Sequence, residues 1–95
     1  MRKFGTDKQE FMAFTLGNAK KEYKLPLAAS MPADELLELY AAYQEGEREA
    51  FESQMKLLHR YIGDAASKLT AGDVRDIFEA WTEDSGEQGA EPGES

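Results

Sequence analysis

The sequence predicts a mainly α protein: a small N-terminal β-hairpin, then a compact bundle of three or more short helices, then a disordered acidic tail. Three observations carry this. In Leu69 to Trp81 the apolar residues Val74, Ile77, Phe78 and Trp81 recur at the i, i+3, i+4, i+7 spacing of one helical face. Two further stretches with helical apolar periodicity precede it, one closed by Gly46 and the next by Gly63. Upstream, the period changes to two, on either side of Gly17-Asn18. The implied organisation is a flexible N-terminus over 1–9, one domain over 10–82 and a disordered tail over 83–95.

Residues 1–9 show no period and read as a frayed terminus. Phe11, Ala13 and Thr15 then alternate with Met12, Phe14 and Leu16, and Glu22 to Leu25 gives a second extended run, so the hairpin spans 10–25 with its turn around Gly17 to Lys20. Pro26, which cannot donate to a ladder, ends the second strand. A lone ribbon is marginal in water, so Phe14, Leu16, Tyr23 and Leu25 are expected to pack on helices. The competing reading of this segment is a basic arm that orders only on a partner.

The first helix is expected over about 32–44, capped by Ser30 or Met31, with Pro32 in its first turn and Asp34 and Glu35 at the positive end of its dipole. Leu36, Leu37, Tyr40, Ala41 and Tyr43 form its apolar stripe. The second helix, about 47–62, carries Phe51, Met55, Leu58 and Ile62, with Ala50, Leu57 and Tyr61 beside them. The short connection at Gly46 makes either an antiparallel pair or one longer helix bent at the glycine. The last helix, about 71–81, has Thr70 as N-cap with Asp73 three residues on, a relative of the capping box. Each of its four apolar side chains contributes roughly 1.5–3 kcal/mol if fully buried. After Trp81, TEDSGEQGAEPGES holds no large apolar residue and cannot offset an ordering entropy of roughly 1–2 kcal/mol per residue.

Composition narrows the function. Ninety-five residues suit one domain. The absence of Cys excludes disulfides, thiolate zinc sites and cysteine nucleophiles within this sequence. No apolar run approaches the ~20 residues of a membrane span, and MRKFGTDKQEF lacks the apolar core of a signal peptide, so a cytoplasmic protein without membrane association is expected. The net charge of −8 is uneven: residues 1–24 carry +3, 25–81 carry −6 and 82–95 carry −5. A phosphate-binding surface needs clustered Lys and Arg, so nucleic acid is not an expected partner.

Nothing points to catalysis. His59, the one imidazole, has Met55, Lys56, Ile62 and Gly63 one turn away and no carboxylate or hydroxyl to orient it as a base. Ser30, Ser53 and Ser67 sit in no nucleophile elbow, no glycine-rich stretch resembles a phosphate cradle, and no metal-ligand spacing occurs. The expectation is a non-enzyme without cofactor or metal. The aromatics are more informative. Phe51, Phe78 and Trp81 are expected in the core, whereas Tyr40, Tyr43 and Tyr61, with Met55, are the candidate partner-binding residues, since Tyr and Met are enriched at protein interfaces.

The order of elements resembles the tail assembly chaperones of long-tailed bacteriophages. The resemblance covers residues 10–85 and rests on Tyr-x-Leu-Pro at Tyr23 to Pro26, a Leu-rich helix, a middle amphipathic helix, and Leu-Thr-x-x-Asp followed after six residues by Ala-Trp, Leu69 to Trp81, ahead of an acidic tail. It implies a small helical protein that binds the tape measure protein, keeps its long hydrophobic helices soluble, helps recruit tail tube subunits, and is absent from the finished virion. Family members commonly have a longer, frameshifted product as well. The family's binding residues form no sharp motif, so none is carried over, and self-association stays open. The other class of function open to so acidic a chain is a regulatory or anti-host protein that mimics nucleic acid or acts as an adaptor.

Overall fold

A computed structural model describes Phe4 and residues 9–89. Strands β1, Phe11–Phe14, and β2, Tyr23–Pro26, form an antiparallel hairpin in which Met12 faces Leu25 and Phe11 faces Pro26. Ala19 N–H donates to the Leu16 carbonyl across the turn, with Gly17 at φ +56°, a left-handed conformation glycine adopts without strain. A 3₁₀ turn over Ala28–Ser30 leads to α1, Ala33–Glu45, which is followed by α2, Glu47–Ile62. A second 3₁₀ segment, Gly63–Lys68, leads to α3, Ala71–Gly89. The hairpin is thus part of the fold rather than an arm awaiting a partner. Residues 1–3 and 5–8 of the expected frayed terminus lie outside the described residues.

One core joins all the elements: Met12 and Leu25 from the hairpin, Leu27 and Met31 from the connection, Leu39 from α1, Leu57, Leu58 and Ile62 from α2, and Val74, Phe78 and Trp81 from α3. Trp81 is the keystone of the closing helix. It is 2% exposed, its ring lies 5.7 Å from that of Phe78, and its indole Nε1–H donates to the Pro26 carbonyl at 2.8 Å. Proline has no amide to give the sheet, and its carbonyl is free to take the indole instead. Thr70 and Asp73 cap α3 reciprocally: the Asp73 amide donates to Thr70 Oγ1 at 3.1 Å, and the Thr70 amide to Asp73 Oδ2 at 3.0 Å.

Gly46 separates α1 from α2 at φ 147°, ψ 174°, backbone that only glycine occupies comfortably, so the two are an antiparallel pair and not one bent helix. Polar links run down the pair: Gln54 Nε2 donates to the Tyr43 hydroxyl at 3.1 Å, Lys56 Nζ bonds Glu38 at 2.9 Å, and Arg60 Nη1 meets Glu35 at 3.2 Å. A Cβ at Gly46 would stand 3.0 Å from Glu49 Oε1, but that carboxylate can swing away; the backbone conformation is the larger penalty. Gly46→Ala is therefore expected to cost about 1–3 kcal/mol, read as a lowered denaturation midpoint with an unchanged slope.

Four expectations are corrected. Ser30 does not cap α1: Pro32 stands at the N-cap without a side-chain bond, and the Ser30 hydroxyl instead accepts the Glu10 amide at 2.8 Å, tying the first turn to the start of the hairpin. The stripe assigned to α1 is rotated. Leu39 is fully buried and Leu36 half-buried, whereas Leu37 is 68% exposed and Tyr40, Ala41 and Tyr43 are also exposed, because α1 has only α2 against one side and covers a narrow line of residues. Phe51 is not core but 39% exposed. Finally, the helix does not stop at Trp81, and 83–86, the first residues of the expected tail, continue α3. The Ala28 amide donates to Ser85 Oγ at 3.0 Å, which docks this polar stretch on the turn before α1. Residues 90–95 of the expected tail lie outside the described residues.

Candidate functional site

A cleft of about 810 Å³ lies between the N-terminal half of α2 and α3. Its existence follows from unequal apolar runs. The stripe of α2 extends from Ala50 to Ile62, some three and a half turns, but the residues α3 offers to the core occupy only Val74 to Trp81. The first two turns of α2 are left uncovered. Ala50 and Phe51 form one wall there. Ala71, Arg75, Phe78 and Thr82, spaced as one face of α3, form the other. Ala50 and Ala71 are small, which leaves room beside the Phe51 ring. Tyr43 lines one part of the cleft, its hydroxyl held by Gln54.

The rim is charged and mixed. Glu47, Arg48 and Glu52 stand on the α2 side, and Arg75 and Glu79 on the α3 side. Arg48 Nε lies 3.3 Å from Glu52 Oε2, but both side chains are largely solvated, so the pair contributes little to stability. An apolar floor with charged margins is the arrangement that accepts an amphipathic helix: apolar side chains enter and polar ones meet the rim. The lining contains no imidazole, and His59 is exposed elsewhere on α2. No group of three or more His, Asp or Glu among the described residues is placed to hold a metal ion. No helix among them is long and apolar enough to cross a membrane.

The four residues picked out from the sequence do not share one surface. Tyr40 and Tyr43 are neighbours, ring centroids 6.3 Å apart, and of the two Tyr43 reaches the cleft. Met55 is half-buried against the core. Tyr61 is half-buried too, its hydroxyl donating to Glu35 Oε1 at 2.5 Å, while the other oxygen of Glu35 faces Arg60. The cleft adds Phe51, Ala50, Arg75 and Glu79, none of which sequence reasoning assigned to binding. The signal available for Phe51 was the length of the α2 stripe against the shorter apolar run of α3.

Burial pushes the Tyr61 phenol up from 10.0 to about 12, the bond to Glu35 and that carboxylate's charge push the same way, and Arg60 opposes them. The folded pKa lies above the unfolded one, so this contribution to stability is fully present below pH 10 and is lost as pH rises through about 12. Tyr61→Phe is expected to flatten that part of the alkaline fall, seen by comparing denaturation midpoints of the two proteins between pH 9 and pH 12.

A second, smaller furrow runs between α1 and α2, lined by Ala41, Ala42 and Ser53 together with Glu38, Glu45, Glu49 and Glu52, Lys56 being the one cation in its lining. No family model, curated protein or solved structure matches this chain.

Proposed function

We propose that this chain is a tail assembly chaperone of the kind made by long-tailed bacteriophages, acting in the host cytoplasm and absent from the finished virion. Its client is the tape measure protein, whose long hydrophobic helices it keeps soluble while tail tube subunits are recruited around them. The observation that carries this is the α2/α3 cleft, where Phe51 and Tyr43 remain exposed beside the buried Phe78. An apolar segment of a client helix would enter the cleft, and its polar flanks would meet Glu47, Arg48, Arg75 and Glu79. The resemblance adds support, because its two fixed points, Tyr23 to Pro26 and Leu69 to Trp81, are bonded to each other through the indole of Trp81. The mechanism is binding without reaction: the cleft covers client surface that would otherwise aggregate.

Co-expression with the tape measure protein of the same phage tests the proposal. The expected result is a client that moves to the soluble fraction and co-purifies with this chain. A client that stays insoluble and is not retained would contradict it.

The acidic furrow favours one other reading, a regulatory protein that presents the carboxylates of Glu38, Glu45, Glu49 and Glu52 to a basic surface in place of nucleic acid. That reading predicts competition with duplex DNA for a DNA-binding protein, weakened by raised salt. The chaperone reading predicts no competition.

A further inference from the structure

The outer edge of β1 is uncovered among the described residues, and its chemistry specifies what would cover it. Leu27 N–H donates to the Glu10 carbonyl at 3.0 Å, which fixes the phase of the ladder. Hydrogen-bonded pairs alternate along an antiparallel ribbon, so Met12 with Leu25 and Phe14 with Tyr23 are bonded pairs, and Phe11 and Ala13 turn their amides and carbonyls outward. Pro26 fits this phase, since it opposes Phe11 at a position where β2 gives no amide to β1.

Edge strands in soluble proteins are commonly blunted by charge, proline or a bulge. Phe11–Phe14 has none of these, and Phe11 is 42% exposed. We propose that this edge pairs antiparallel with β1 of a second copy of the chain, making a four-stranded sheet across a two-fold axis. An antiparallel edge is self-complementary, as an isologous contact requires. Phe11 of one copy then opposes Ala13 of the other, aromatic against small, and Met12 opposes Met12 on the core side. No charge meets a like charge. Lys24, which pairs with Ala13 and already lies 5.9 Å over the Phe11 ring of its own chain, borders the partner's Phe11 across Ala13. Two four-residue edges bury far less than the ~1,200 Å² of a stable interface, so the dimer is weak and in rapid exchange. No residue of the α2/α3 cleft takes part.

Sedimentation equilibrium over a concentration series, with the full chain and with Ala13→Pro, tests this. The Ala13 amide points away from β2, so proline there removes a donor to the partner and leaves the hairpin ladder intact. The full chain should form a dimer at high concentration, and Ala13→Pro should weaken association at least about tenfold. Amide NMR of the unaltered protein provides the second readout, with shifts on dilution centred on Phe11 to Phe14. A chain that stays monomeric would overturn the proposal, because its own N-terminal residues, another partner or solvent then satisfy the edge. Association unchanged by Ala13→Pro, or dilution shifts centred elsewhere, would overturn it as well.

Discussion

Trp81→Ala is expected to unfold the domain or leave it barely folded at room temperature. The substitution empties a site that is 2% exposed, at a cost of about 3–5 kcal/mol for a large aromatic. It also leaves the Pro26 carbonyl without its 2.8 Å donor. Domains of this size have about 5–15 kcal/mol in total, and the smaller ones sit near the bottom of that range. Trp81→Phe separates the two contributions: it retains most of the apolar surface and removes the donor, so about 1–3 kcal/mol should be lost. Far-UV circular dichroism during urea unfolding reads both variants, since the sole tryptophan is the residue replaced. Equal stabilities for Trp81→Ala and the parent would mean that α3 is not docked on the hairpin.

Leu39→Ala is expected to cost about 2–5 kcal/mol, whereas Leu37→Ala should stay within about 0.5 kcal/mol of the parent. The two leucines lie one helical turn's fraction apart, yet Leu39 is fully buried and Leu37 is 68% exposed. Trp81 fluorescence reports unfolding in both variants. Comparable losses would place the core face of α1 where the sequence first suggested it, on Leu37, Tyr40 and Ala41.

That error shows where the sequence is legible. The stripe of α3 and its Thr70/Asp73 cap were readable because a few residues at fixed spacing determine both, and the break at Gly46 was readable as one of two outcomes. The face of α1 was ambiguous because Leu36, Leu37, Leu39, Tyr40 and Tyr43 surround much of the helix. Only the antiparallel placement of α2, a long-range fact, selects among them. The continuation of α3 past Trp81 to Ser85 is hidden for a related reason. Its anchor is a single hydroxyl, Ser85, whose partner is the Ala28 amide 57 residues earlier. The cleft is partly legible: composition points to Tyr43, but periodicity assigns Phe51 to the core because it shows which face is apolar without showing whether anything covers it.

The most direct measurement of the central claim is retention of the tape measure protein by Phe51→Asp, compared with the parent under identical co-expression. Phe51 is 39% exposed and makes one wall of the cleft, so its charge should disturb the client far more than the fold. The account predicts at least about tenfold less client retained, with the melting temperature of this chain lowered by no more than a few degrees. Full retention by a folded Phe51→Asp protein would contradict it.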